Sequence, residues 1–208
     1  MRRALLLACM LLCGGCYSVQ WPWTTTELTT SGLADEPVKI TTMPEETWYT
    51  IEAAQVSYYA SDIPLEQLAA GGKLNGQVVN IQVLWEPKPG LTPIEPTTTN
   101  LSIRLVVFAE GEVGVYGGGG FAWLRGTADD GDMGLLLTGS NLSLIARTKD
   151  FVDLLSPAEM LGTVQARLDD TKALAIRRAA SQAVTNALGA VRWVHAPAPA
   201  DDAVAQAR

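Results

Sequence analysis

Along most of this 208-residue chain, apolar and polar residues alternate over short runs that end in turn-forming residues, and one late stretch has the period of a helix. A period of two sends successive side chains to opposite faces of a pleated strand, so such a chain must bury its apolar faces by packing sheet. The clearest run sets Val79, Ile81, Val83 and Trp85 on one face and Asn80, Gln82 and Glu86 on the other. Leu101, Ile103, Leu105 and Val107 repeat it, and Glu110-Gly111-Glu112 is short enough to turn the chain back into Val113 and Val115 as a hairpin. Upstream, aromatic and β-branched residues crowd the segment 48–60, which predicts a long strand or a strand pair.

Punctuation between these runs is equally readable. Ser61 or Asp62 is placed to cap a short helix from Ile63 to Ala70, stopped by Gly71 and Gly72, and Asn75-Gly76 then turns into the next strand. Pro87, Pro89, Pro93 and Pro96 predict an extended, stiff surface lip. Gly117 to Gly120 fall inside a strand, so a bulge, a bend or a close backbone approach is expected before Phe121 and Trp123. Asp129-Asp130-Gly131-Asp132 marks a turn, after which Leu135, Leu137, Leu142 and Leu144 extend a strand interrupted by Gly139. Ser156-Pro157-Ala158-Glu159 has the spacing of a capping box, while Val164, Ala166 and Leu168 alternate; one helical turn followed by a strand is expected.

Thr171 to Leu188 is the strongest helix. Ala175, Ala179, Ala183 and Ala187 form one ridge, Ile176, Ala180, Val184 and Leu188 its neighbour, and Gly189 a stop. The opposite face carries Arg177, Arg178, Ser181, Gln182, Thr185 and Asn186. Successive strands with one late helix predict a mainly β fold with a C-terminal helix (α+β), its antiparallel sheet arranged as a two-layer β-sandwich. The helix is expected on the protein's own sheet in preference to a second copy, although a homo-oligomeric helix pair is an alternative.

Chemistry is sparse. His195 is the single histidine and stands in a stretch that reads as a disordered tail, where an imidazole is poorly held for a catalytic triad. All three cysteines, Cys9, Cys13 and Cys16, lie at the N-terminal end, so the ordinary zinc ligands and a disulfide framework are missing from the body of the chain. Asp129, Asp130 and Asp132 lack the spacing of a calcium loop, and Gly117 to Gly120 are followed by Phe121 and Ala122, not by the Lys-Ser or Lys-Thr of a phosphate loop. Neither a metal nor another cofactor is expected. The net charge of −7 opposes nucleic acid, since counterion release is then unavailable to drive binding.

The first sixteen residues have the order of a secretory signal: Arg2 and Arg3, the apolar run Ala4 to Leu12, then Cys13, Gly14, Gly15 and Cys16. This segment resembles a bacterial lipoprotein signal, with Cys13 where such signals usually carry Leu. The resemblance implies cleavage before Cys16, acylation (palmitate) of that cysteine, and attachment to a lipid bilayer through its acyl chains. Tyr17, in place of Asp, implies sorting from the periplasm to the cell outer membrane. The expected organisation is a signal peptide over 1–15, a lipid anchor and flexible tether over 16–46, a β-rich domain over 47–192 and a tail over 193–208. Trp21 and Trp23 flank Pro22 near the anchor, where indoles suit the interface between water and lipid. A non-enzymatic binding or structural role toward an envelope protein or polysaccharide is the leading expectation, with Trp85, Pro87, Pro89, Tyr116, Gly118, Phe121 and Trp123 as the binding residues. The alternatives are an envelope hydrolase acting on polysaccharide or peptidoglycan through acidic catalysts, and an accessory subunit of a lipid or polymer export system.

Overall fold

The computed structural model describes residues 25–44, 46–52, 55–88, 90, 98–127 and 131–193. The signal segment with Cys16, the Trp21–Trp23 stretch, Pro89, Pro93, Pro96, Asp129, Asp130 and His195 lie outside the described residues. The elements in order are β1 (Glu27–Gly32), β2 (Lys39–Thr42), β3 (Glu46–Glu52), β4 (Gln55–Ser61), α1 (Leu65–Ala70), β5 (Gly76–Val83), β6 (Leu101–Ala109), β7 (Glu112–Arg125), β8 (Asp132–Arg147), β9 (Ala158–Leu168) and α2 (Asp170–Leu188). The chain is thus mainly β with a C-terminal helix, as the alternation implied.

One nine-stranded sheet runs in the order β2-β1-β9-β3-β4-β5-β6-β7-β8, and β8 pairs again with β9. Along one edge β9 meets β8; along the other it meets β1 between Ala158 and Thr163 and β3 at Arg167 and Leu168. β3 to β9 therefore form a closed ring, and the two expected layers are facing walls of a single sheet. Closure dictates the one exception to antiparallel pairing. An odd number of strands cannot alternate direction all the way round, and the mismatch falls at β3–β9, which is parallel.

Closure sorts the side chains into two cores. Inside the ring lie Val79, Ile81 and Val83 of β5, Leu101, Ile103 and Leu105 of β6, Leu135 and Leu137 of β8, and Met160 and Val164 of β9. Outside, α2 lays Ala173, Ile176, Ala180 and Val184 against Val78, Val106, Phe108, Val113 and Val115. Of the two ridges expected on α2, the Ile176-Ala180-Val184 ridge faces the sheet, while Ala187 is exposed. Asn80, expected on a polar face, is buried because α2 covers that side, and its amide donates to the Tyr58 carbonyl at 3.1 Å.

Local chemistry fixes the connections. The β6–β7 turn has Glu110 at φ 54° and Gly111 at φ 94°, the paired left-handed residues that match the twist of a two-residue hairpin. Asn75 holds it: Glu110 N donates to Asn75 Oδ1 at 2.6 Å. Gly117 to Gly120 of β7 sit between two register shifts, at Val115/Tyr116 and Phe121/Ala122. A Cβ on Gly118 would run into the Asn141 carbonyl and one on Gly120 into that of Gly139, so the strand bends where side chains are absent.

Four local expectations are corrected. Within the expected tether lie β1 and β2: β1 is paired on both sides, with β2 and β9, and the Thr42 hydroxyl of β2 donates to Gln77, while just before β1 Thr26 accepts from Thr47. Neither Ser61 nor Asp62 caps α1. Ser61 bonds Ile63 and Asp62 accepts from Gln77 N, leaving Pro64 at the helix start. No helical turn follows Ser156; Ala158 already begins β9, and the Ser156 hydroxyl accepts from Leu144 N instead. Trp193, assigned to the tail, is 2 % exposed in the outer core.

Candidate functional site

The most built surface lies at the end of the ring where β5 leaves the sheet. Asn100, fully buried, organises it: its amide donates to the Ala122 carbonyl at 2.9 Å, its side-chain oxygen accepts from Ala122 N at 2.8 Å, and its carbonyl accepts from Leu84 N at 2.8 Å. The segment after β5 is thereby tied to β7. Trp85 donates its indole N–H to the Thr99 carbonyl at 3.0 Å and is 39 % exposed. Its ring meets Phe121 edge-on at 6.3 Å, and Phe121 meets Trp123 at 5.2 Å with planes 83° apart. Such edge contacts favour a fixed arrangement of rings.

Among the residues singled out from the sequence, Trp85, Phe121 and Trp123 therefore come together, with buried Pro87 two residues beyond Trp85. Tyr116 and Gly118 do not join them. Tyr116 points into the ring, where its hydroxyl donates to Asp153 at 2.9 Å and its ring meets Phe151; burial and the Asp153 carboxylate raise its pKa. Gly118 is pressed against β8.

Beside Trp85 the ring opens into a cleft of about 260 Å³. Val56, Val83, Leu124 and Met133, from four different strands, form its walls, and Leu84, Glu86 and Thr127 are among the other residues lining it. All four wall residues belong to the inner core or pack against it, so the cleft is the mouth of the barrel. One pleat deeper on β4 than Val56 stands Tyr58, 1 % exposed, whose hydroxyl has no hydrogen-bond partner. An orphaned buried hydroxyl costs about 1–3 kcal/mol. Burial raises its pKa, with the charges of Tyr49 and Glu86 adding to the effect, so the phenol stays protonated and can donate.

A larger cleft of about 590 Å³ lies under α1, between Met43, residues 61–66 and Ile176. Its Ser61 and Asp62 are already bonded to nearby backbone. Nothing there awaits a partner as Tyr58 does. Among the described residues no three His, Cys, Asp or Glu side chains stand close enough to hold a metal ion, and no helix is long and apolar enough to cross a membrane. Of the acidic side chains beside turns, Glu110 accepts from Asn75, Glu112 accepts from Thr148, Glu86 lines the mouth, and Glu95 lies outside the described residues.

The fold and this site define a closed β-barrel with an outer helix and an aromatic-flanked mouth. Comparison with family models, with curated proteins and with solved structures gives no match to this chain. The mouth residues Val56, Leu124 and Met133 carried no signal in the sequence, since each is an ordinary strand residue until the ring closes.

Proposed function

We propose that this chain is a lipid-anchored envelope protein, held in the outer membrane by acyl chains on Cys16, whose barrel binds an envelope partner and does no chemistry on it. The observation that carries the binding reading is the exposed Trp85 ring and the half-buried Trp123 ring, both set against the buried Phe121 ring on a strand end that Asn100 makes rigid. Aromatic rings held this way offer a large contact area at little entropic cost. Glu86 is the one carboxylate among the described residues lining the mouth, which supports binding over hydrolysis by paired carboxylates. The anchor reading rests on the order of Met1 to Cys16. With Thr25 already bonded to Thr163 through its carbonyl, the link from Cys16 can span about 30 Å at most, so the barrel would stay close to the bilayer.

Incorporation of radiolabelled palmitate into the native chain, and its loss in Cys16→Ala, tests the anchor. A photo-crosslinking residue at Trp123 is expected to yield a discrete adduct in cells, and one at Leu161, exposed on another wall, is expected to yield none. Identical adducts from both positions would remove the aromatic surface from consideration.

A further inference from the structure

We propose that the barrel mouth is a binding site for a small neutral amphiphile, an apolar body carrying one hydrogen-bond acceptor such as a carbonyl oxygen, which enters between Trp85 and Met133 and accepts from the Tyr58 hydroxyl. The inference is independent of where the chain is anchored and of what the aromatic surface touches.

Three features converge on it. The walls, Val56, Val83, Leu124 and Met133, are apolar and contributed by rigid strands, the setting in which barrels hold small ligands. The volume of about 260 Å³ admits a compact molecule and excludes a folded partner. Tyr58 supplies one donor on the inward face of β4, directly below Val56, and that donor is unused. A buried polar group without a partner is uncommon enough in folded proteins to call for an explanation, and a ligand acceptor provides one.

Charge narrows the ligand further. Glu86 is the carboxylate among the described residues lining the mouth, so a fatty-acid carboxylate entering there would face a like charge. A neutral acceptor avoids it. A ligand with only donors would leave the proton on Tyr58 Oη unsatisfied.

Prodan, a neutral naphthyl ketone whose emission moves to shorter wavelength in apolar surroundings, is a suitable probe. Titration with the full chain is expected to give a saturable one-site blue shift. Leu84→Arg, at a position 48 % exposed, places a charged side chain across the mouth and is expected to abolish the shift. Tyr58→Phe keeps the ring and removes the hydroxyl; about tenfold weaker binding is expected, with a thermal midpoint no lower than that of the native chain. Leu161→Arg, on an outer wall, is expected to bind as the native chain does. Absence of a saturable shift, or a shift that survives Leu84→Arg, overturns the site. Equal affinity in Tyr58→Phe and native chain overturns the role given to the hydroxyl and with it the ligand class.

Discussion

A single amide controls the geometry around the mouth. Asn100 exchanges two hydrogen bonds with Ala122, which is itself fully buried, so neither partner can turn to water if the other is removed. Asn100→Ala is expected to cost about 2–3 kcal/mol, read from urea unfolding. Asn100→Asp is the sharper test. It keeps an acceptor for Ala122 N but turns an oxygen toward the Ala122 carbonyl, and burial will push the new carboxyl's pKa above its unfolded value. The variant should then be nearest to native stability below about pH 4, and lose stability as pH rises through the raised pKa toward neutrality. Unfolding curves at acidic and neutral pH check the sign; a variant that gains stability with rising pH would contradict the packing described.

At the scale of the element, α2 shows which of its contacts matter. Asp169 caps it by accepting from Lys172 N at 2.9 Å, Thr50 donates to Asp170 at 2.6 Å, Lys172 lies 4.0 Å from the Trp48 ring centre, and Arg177 pairs with Glu52 at 3.2 Å. Ile176 is buried between helix and sheet. Thermal unfolding should rank the variants accordingly: Ile176→Ala losing about 2–4 kcal/mol, Asp169→Ala about 1 kcal/mol, and Arg177→Ala less than about 1 kcal/mol, because Glu52 remains in contact with water. This helix was legible in the sequence because its apolar period and its glycine stop are local. β5 and β6 were legible for the same reason, their inward residues falling at every second position. β1 and β2 were hidden, since threonine reads as polar until a partner such as Gln77 or Thr47 is known to be within reach. The capping-box spacing at Ser156 misled because the pairing of Ala158 with Gly32 and Leu142, distant in sequence, outweighs a helix of one turn. For the site, aromatic identity marked out Trp85, Phe121 and Trp123, but the inward turn of Tyr116 and the orphaned hydroxyl of Tyr58 follow from closure, which no window of sequence contains.

For the molecule as a whole, closure makes alkali a specific stress. Burial raises the pKa values of Tyr58, Tyr59 and Tyr116 above the ordinary phenol value. Below about pH 10 these phenols are neutral in folded and unfolded chains alike and add no pH dependence. Above it the unfolded chain ionises first, so stability should fall as pH climbs, and Tyr58→Phe or Tyr116→Phe should each flatten that fall in chemical unfolding measured from about pH 8 to pH 11. A native chain with no such slope would show these rings to be wetter than their packing implies. The parallel seam has its own consequence. The bond from Thr26 to Gln165 spans 139 residues, and β9 must meet β8, β1 and β3 before the ring exists. A ribosome or translocation channel delivering this chain from its N-terminus can release a growing meander of hairpins, but the barrel stays open-edged until residues 158–168 emerge, so any stall before that point leaves an unfinished sheet with two edges free to pair with a neighbour.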